Sequence, residues 1–327
     1  MFAEAIEDIL KDQCTATTVR AIESGGSTAA SATLWKAIED AGFLELLTAE
    51  ADGGAELAVP DLFPIFSSFG RYAVPLPVAQ SIVARSLLAP YAVPTGRITL
   101  AATLRRTSDG QITCALTPFG LVADYVLAPD GDGLLLLPVA SAQSTPTGVH
   151  RSQTATLSWD GADNATRLPT GGAALTAWAA ALHAALLSGA MTRVFEMTLQ
   201  YCNDRSQFGK SLGKFQAVQH QLSVMAEHTA AASIAAEAAF HTTGTAPTLL
   251  AAAMAKSRTS EAAGLVAATA HALHGAIGVT EEYDLQLLTR RLHEWRMAHG
   301  SEAHWNLLIG QSVLASPRPL LDYVREV

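Results

Sequence analysis

The second half of the chain reads as a succession of long apolar helices, which leaves few folds open to it. After Gly171-Gly172, apolar residues recur at three- and four-residue spacing, the period of a helix with a buried face. The predicted helices are Ala174–Asn203, Phe215–His241, Pro247–Leu273, Glu282–Ala298 and Ser301–Leu314. Four or five helices of this length pack against one another, so residues 170–327 are predicted to form a helical bundle.

Two other patterns precede the bundle. Residues 1–95 contain short helical runs broken by glycine and proline, with Ser27 as the N-cap of a helix over Ser27–Ala41. Residues 96–169 change to short alternating or β-branched runs separated by Asp-Gly pairs. The predicted strands are Ile98–Leu104, Gln111–Leu116, Tyr125–Ala128, Leu134–Val139 and Ala155–Trp159. The sequence therefore predicts an α+β multidomain chain: an N-terminal helical domain, a small β domain and the bundle.

The charge of the chain excludes one class of partner. Its 327 residues carry a formal net charge of -9 and a pI near 5.5, whereas nucleic-acid binding requires lysine and arginine clustered on one face. No nucleic-acid partner is expected. A single phosphorylated small ligand remains compatible with the composition, because a few local arginine and lysine residues can hold it.

The cysteines and the first residues favour a reducing compartment. The three cysteines are far apart and lack CxxC or zinc-type spacing, so they are interpreted as packing residues. The first eight residues carry acids where a secretory signal carries a basic region and then an apolar stretch, so a cytoplasmic protein is expected. The alanine-rich run Ala173–Ala190 is interpreted as a buried helix rather than a membrane span. His220 and His228 have no carboxylate cluster beside them, and no metal site is predicted.

The segment Arg205-Ser206-Gln207-Phe208-Gly209-Lys210 lies between two of the predicted helices. Arg205 offers a fork of donors suited to a pyrophosphate, Phe208 an apolar face for a ring, and Gly209 a permissive backbone. The same pattern also fits a plain interhelix turn with a solvated arginine and a core phenylalanine. By itself, the segment is a modest indication of a ligand.

A second motif, Ala272-Leu273-His274-Gly275-Ala276-Ile277-Gly278, ends another predicted helix. Its glycines would let a backbone approach a ligand, but Gly275 and Gly278 would equally serve as a helix C-cap. Thr280-Glu281-Glu282-Tyr283 follows and places acids where a helix N-terminus favours them.

These motifs and the order of the domains resemble the acyl-CoA dehydrogenase family. Arg205–Gly209 is similar to the family's RxxFG segment, residues 272–278 to its QxxGGxG segment with Ala272 and Ala276 substituted, and Leu44–Gly54 to its PEEYGG loop. The resemblance covers nearly the whole chain. It implies an N-terminal helical domain, a middle β-barrel and a C-terminal four-helix bundle that assembles into dimers and tetramers.

The resemblance also implies FAD as cofactor, an acyl-CoA thioester as substrate and an electron-transferring flavoprotein as electron acceptor. In the family, the residues matching Arg205, Gln207 and Phe208 reach across the dimer interface to the neighbour's FAD. The full set of cofactor contacts implied here is Arg205, Gln207, Phe208, Gln216, His274, Gly275, Gly278 and Ser301.

The residue that serves as catalytic base in the family is not found in this chain. Its members remove the α-proton of the thioester with a carboxylate while hydride passes from Cβ to the flavin. In many members the base is the glutamate of a YEGT turn, and the matching residues here are Ala298-His299-Gly300-Ser301. His299 occupies the position of the glutamate and is the candidate catalytic residue, because a neutral imidazole can accept a proton. The base position that other members use falls near Ala179, where this chain has no carboxylate.

Two hypotheses follow from this departure. The chain is either a self-sufficient, FAD-dependent acyl-CoA dehydrogenase that uses His299 or an unrecognised base, or a non-catalytic partner subunit that completes the FAD site of a catalytic chain. The flavin-facing LTEPxAGSD segment of the family has no clear match here, Ala115–Phe119 being the nearest. Weak contacts to its own flavin, with cross-interface contacts kept, are typical of the second kind of chain.

Overall fold

The computed structural model describes residues 2–25, 27–89 and 91–326. It begins with five helices, α1 to α5, which span Phe2–Gln13, Ala16–Glu23, Thr28–Asp40, Val59–Arg71 and Val78–Leu88. The predicted N-cap of the third helix is confirmed, since the Ser27 side chain accepts a hydrogen bond from the Ala30 amide at 3.0 Å.

Strands follow the first helices. β1 to β8 span Ile98–Leu100, Arg105–Arg106, Ile112–Thr117, Tyr125–Asp130, Gly133–Pro138, Gln143–Pro146, Ala155–Trp159 and Thr166–Leu168. They form two four-stranded sheets, with strand orders β1-β4-β5-β8 and β2-β3-β7-β6. β1 pairs in parallel with β4, with Ile98 opposite Tyr125, and the other pairs within these sheets are antiparallel. All five predicted strands are present, whereas β2, β6 and β8 were not predicted.

The middle β-barrel implied by the resemblance is not confirmed, because the described strands form two separate sheets with no closed barrel. Alternation along β5 explains how the sheets pack. Leu135 and Leu137 face the second sheet and share a core with Leu157 and Trp159. Leu134, on the opposite face, joins the helical core. A strand buried on both faces has a continuous apolar sequence, which accounts for the four successive leucines of β5.

The remaining chain is helical. After α6 (Gly172–Asp204) come a short hairpin of β9 (Ser206–Gln207) and β10 (Lys210–Ser211), and then α7 to α11, which span Gln216–Ala238, Leu249–His274, Leu285–Met297, Glu302–Ala315 and Leu320–Glu326. The predicted helices are present with small shifts of their ends. Two ends shift by three residues: α7 ends at Ala238 rather than His241, and α9 begins at Leu285 rather than Glu282. Just before α9, Arg20 of α2 contacts the backbone carbonyl of Glu281 at 3.1 Å and the Asp284 carboxylate at 2.6 Å.

α6 lies at the centre of the fold and contacts α4, α7, α8 and α9. Its contact with α4 brings two backbones together: a Cβ atom at Gly70 would lie 2.0 Å from the Leu186 carbonyl oxygen, and one at Gly189 would lie 1.8 Å from that of Ser67. Only glycine permits such an approach. The apolar core accordingly continues from α1 through α6 to α10 without a break.

Two helical segments, Gly172–Asp204 and Leu249–Val279, are long and apolar enough to cross a membrane by length and composition alone. A core helix passes the same test. In α6, 89% of the most apolar window is buried inside the fold, whereas in the second segment 39% is buried. The interpretation of Ala173–Ala190 as a buried helix is consistent with the packing of α6.

Candidate functional site

The predicted Arg205–Lys210 segment forms a β-hairpin at the end of α6. Gln207 pairs with Lys210, so Phe208 and Gly209 are the two loop residues. Their φ angles are +51° and +81°, and two positive φ angles in a two-residue loop are typical of a type I′ turn. Glycine adopts this conformation freely, whereas phenylalanine is strained in it. The hairpin therefore holds Phe208 in an unfavourable backbone conformation.

The side chains of this hairpin face solvent. Phe208 is 92% exposed, and Arg205, Gln207 and Gln216 are exposed as well. Lys210 lies over the ring of Phe215, with its Nζ 4.3 Å from the centroid. A strained, exposed aromatic residue between an arginine and a helix N-terminus forms a surface suited to an anionic ligand with a flat ring. These predicted cofactor contacts lie close together.

The second motif, residues 272–278, lies beside the end of α6 that leads into the hairpin. Tyr201, in the last turn of α6, contacts it. The Tyr201 ring stacks on His274 with centroids 4.4 Å apart, and its hydroxyl donates to the His274 carbonyl at 3.3 Å. His274 is buried, since Tyr283 covers it from another side at 5.2 Å. Gly275 is exposed, has φ +65° and caps α8 as the C-cap interpretation predicted.

Gly278 is packed against the same histidine. A Cβ atom at Gly278 would lie 2.8 Å from the Cβ of His274, so the tight 3-10 turn over Gly275–Val279 requires glycine there. The motif thus places an exposed glycine, Gly275, at the end of α8 next to the hairpin.

His299 lies far from this surface. Its ring contacts His183 of α6 at a centroid distance of 4.7 Å, and Arg205 follows His183 by 22 positions. A helix rises about 1.5 Å per residue, which separates the two by roughly 33 Å along α6. The hairpin and residue 299 are therefore well separated along α6.

The turn from α9 to α10 carries His299 and Ser301. His299 has φ +54° and the following Gly300 has φ +99°, so two successive residues are left-handed. Ser301 is half-buried and precedes α10, and its side chain makes no capping hydrogen bond. His299 is 9% exposed, and His183 is fully buried.

A cavity of about 200 Å³ lies beside this turn. Its walls are largely apolar and come from the residues after β1, the start of α6 and the start of α10, including Ala101, Leu175 and Trp305. Trp305 donates its indole N–H to the Gly300 carbonyl at 3.2 Å and so closes one end of the turn.

The electrostatics at this turn disfavour a charged imidazole. Burial, together with the charge of Lys256, lowers the pKa of His299 to about 3. Burial also lowers the pKa of His183 well below its usual range, and His299 and Lys256 add to the effect. The Nδ1 of His183 lies 2.8 Å from the Ala179 carbonyl and must donate to it. The Nε2 atoms of both rings are buried without a partner in the described part of the chain.

Among the described residues, no carboxylate lines this cavity. The two acids nearest in sequence are engaged elsewhere. Glu302 forms an ion pair with Arg296, while Glu294 accepts hydrogen bonds from Ser152 and Thr154 of the β region. The second position at which family members carry a base, near Ala179, is also fully buried and apolar.

Sequence reasoning missed His183, Lys256 and Ala101–Thr103. His183 is a single polar residue in an alanine-rich stretch, and Lys256 begins the polar run Lys256–Glu261. Only their distance in space from residue 299 gives them significance. No local pattern shows that Lys256, rather than a neighbour in that run, enters the core. Ala101–Thr103 lines the cavity directly after β1, which no motif indicated.

The family model described as "Acyl-CoA dehydrogenase, C-terminal domain" matches residues 174–314. The chain is 32% identical over 295 residues to acyl-CoA dehydrogenase IpdE2 of Mycobacterium tuberculosis, which covers 88% of this chain and 84% of that protein.

Solved structures with the same fold include the ChsE4-ChsE5 complex from Mycobacterium tuberculosis, at 20% identity and a TM-score of 0.84, with 97% of each chain covered. The Tcur3481-Tcur3483 steroid ACAD G363A variant is similar at 25% identity and a TM-score of 0.81, over 95% of this chain and 96% of that one.

Proposed function

The chain belongs to the acyl-CoA dehydrogenase family, and from this membership we propose that it is a partner subunit in the FAD-dependent α,β-dehydrogenation of an acyl-CoA thioester. The family consists of flavoprotein oxidoreductases that act on CH–CH groups of acyl-CoA in lipid metabolism. In the proposed assembly, this chain completes the FAD site of a second chain, and that second chain carries the glutamate base.

The observation that carries the proposal is the state of residue 299. A general base must hold the proton that it removes from the α-carbon, and it works best with a pKa near the working pH. The pKa of His299 is lowered to about 3, so its imidazole binds a proton weakly at neutral pH. Its ring is also packed against His183. Both observations support the assignment of the catalytic base to the second chain.

The residues of the hairpin fit the cofactor. Arg205 and the N-terminus of α7 at Gln216 offer donors to a pyrophosphate, and Phe208 offers a ring face. All three are exposed and would remain available to a neighbouring chain. FAD, when bound, supplies the hydride acceptor. Arg205 lies roughly 33 Å along α6 from His183, on which the ring of His299 packs, and this supports contact of the hairpin with a neighbour's flavin.

Exposed apolar surface supports an assembly. On α10, Leu307 is 63% exposed and Leu314 is 88% exposed, while Met254 on α8 is 42% exposed. Exposed large apolar side chains of this kind are compatible with a protein interface. The Tcur3481-Tcur3483 steroid ACAD, named for two chains, is a precedent at 25% identity. An electron-transferring flavoprotein is the proposed electron acceptor, by analogy with the family.

The test is the visible absorption spectrum of the chain purified alone, compared with that of the chain co-purified with its mate. We expect the lone chain to be colourless or to carry little flavin. The complex should contain stoichiometric FAD that an acyl-CoA thioester bleaches, and its second chain should have glutamate at the position equivalent to 299. Stoichiometric flavin on the lone chain, bleached by a thioester, would instead establish a self-sufficient dehydrogenase.

A further inference from the structure

The side chain of Lys256 enters the core from the middle of α8. It is fully buried. Its Nζ donates to the carbonyls of Trp295 (3.0 Å), Arg296 (2.9 Å) and Gly300 (3.0 Å), and it lies 2.9 Å from the Ser260 hydroxyl. The first two carbonyls belong to the last turn of α9, where the helix leaves its carbonyls without partners. A cation from another helix thus caps α9.

The same ammonium group holds both sides of the left-handed turn. His299 lies between the Arg296 and Gly300 carbonyls in sequence, and its φ of +54° is unfavourable for a residue with a side chain. Such strain persists only where surrounding contacts fix the backbone. Lys256 provides those contacts before and after the strained residue, and Trp305 adds a second donor to the Gly300 carbonyl.

We propose that Lys256 is a positioning residue whose ammonium group fixes the turn at Ala298–Ser301 and thereby sets where the side chain of residue 299 lies. This role goes beyond the proposed function. It concerns the backbone at position 299 and applies whether or not the chain holds FAD.

The protonated form is required by the count of donors. Three backbone carbonyls can only accept, and an ammonium group has three N–H bonds, whereas a neutral amine has two. Lys256 can therefore donate to all three carbonyls at once only while its amine is charged.

The charged groups around Lys256 come from several elements. Glu302 of α10 favours the ammonium form and Arg296 of α9 disfavours it, and these two are paired with each other. The imidazoles of His183 on α6 and His299 on the turn both sense the Lys256 charge. From α7, His228 lies against Arg258 of α8 instead, at 3.2 Å. Burial lowers the pKa of Lys256 to about 7, so the charged and neutral forms of its amine are both populated near neutral pH.

The test compares Lys256→Met with Arg258→Met, which removes a partly exposed cation from the same helix. Imidazole nitrogen NMR follows His299, and His299→Gln provides its assignment. In Lys256→Met, we expect the His299 signals to shift and its titration midpoint to rise by about one pH unit or more, because a nearby cation and a fixed turn both disfavour the imidazolium. Arg258→Met should leave both unchanged. Unchanged His299 signals and titration in folded Lys256→Met would overturn the role.

A second measurement needs no variant. In the wild-type chain, the Ala298 amide donates to the Glu294 carbonyl at 3.0 Å and reports opening of the turn, while the Leu175 amide, bonded to Gly171 at 2.9 Å, reports on α6. Between pH 6 and 9, after correction for intrinsic exchange, we expect protection of Ala298 to rise by up to about 100-fold, because Lys256 exposed in the open turn regains a pKa of about 10.4 and binds a proton that the closed turn releases. Leu175 should keep its protection. Constant protection of Ala298 across this range would overturn the proposal.

Discussion

The imidazole rings of His183 and His299 lie 4.7 Å apart with 41° between their planes, although one belongs to the middle of α6 and the other to the turn before α10. Both rings are buried. The residue that the motif resemblance matches to the family's base is thus packed into the core of the chain, against a second imidazole.

This packing gives a kinetic prediction for the assembled enzyme. His299→Gln should leave the rate of flavin reduction by an acyl-CoA thioester within about twofold of wild type, since loss of a true general base costs about 100-fold or more. Stopped-flow absorbance of the complex measures the rate. A loss of about 100-fold or more with FAD still bound would assign the base to this chain.

The same histidines predict sensitivity to acid. Their pKa values are lower in the folded chain, so between the ordinary value near 6.5 and about pH 3 the unfolded state binds protons that the folded state does not. Stability therefore falls as the pH falls through this window. From pH 6.5 to 4, His299 alone should contribute a loss of about 3 kcal/mol. Urea unfolding at both pH values should show a smaller loss in His299→Gln, and an equal loss would contradict this assignment.

Arg205→Ala should weaken retention of FAD by the assembly about tenfold, because it removes one charge-assisted contact to the pyrophosphate. The bundle should melt at the wild-type temperature, since the Arg205 side chain is exposed. Arg105→Ala, at an exposed arginine of β2, is the matched control for the change in charge. Equal FAD occupancy in Arg205→Ala and wild type would contradict the proposed contact between the hairpin and FAD.

The variant Phe208→Gly distinguishes the effect of the strained backbone on stability from the effect of the ring on FAD binding. Glycine adopts the φ of +51° without penalty, so the free energy of unfolding should stay constant or rise by up to about 1 kcal/mol. Retention of FAD by the assembly should fall, because the exposed ring is lost. Thermal melting and flavin content of the same preparation measure the two effects. Lower stability with unchanged flavin content would mean that the ring serves the fold alone.

A buried ion-pair network joins the N-terminal helices to α9. Glu23 accepts from Arg290 at 2.8 Å and from Arg291 at 2.7 Å, and Arg291 is 4% exposed. Glu23→Gln should destabilise the chain by about 3–5 kcal/mol, because a buried arginine loses its counter-charge. Asp40→Asn, which breaks the exposed pair with Lys36, should leave the denaturant midpoint unchanged. Equal effects of the two variants would rule out a special role for the buried network.

The order of helices and strands followed from local patterns, because apolar periodicity and turn residues are encoded within a few positions. Ser27 and the strand Ala155–Trp159 were predicted where the structure has them. The pairing of strands into two sheets was not predictable in this way, since it depends on contacts between distant segments. The hairpin was predicted only as a turn between helices, and its type I′ geometry follows from the positive φ of Phe208 as well as that of Gly209.

At residue 299, too, the local sequence was informative and the long-range contacts were not predictable. The sequence identified His299 as the residue in the glutamate's place. Its ring packs on His183, which is 116 positions away in sequence. Its turn is held by hydrogen bonds from Lys256, which is 43 positions away. No spacing rule connects such residues, because their contacts depend on how distant helices pack.

The close crossing of α4 and α6 depends on one glycine from each helix. Gly70 and Gly189 each admit the other helix's backbone to a distance that no other residue tolerates. If the N-terminal helices were replaced by those of a relative, the new α4 would have to carry glycine opposite Leu186, and α6 would still need glycine opposite residue 67. A hybrid of the first helices of one relative and the bundle of another would therefore keep this close crossing only if it kept glycine at both positions.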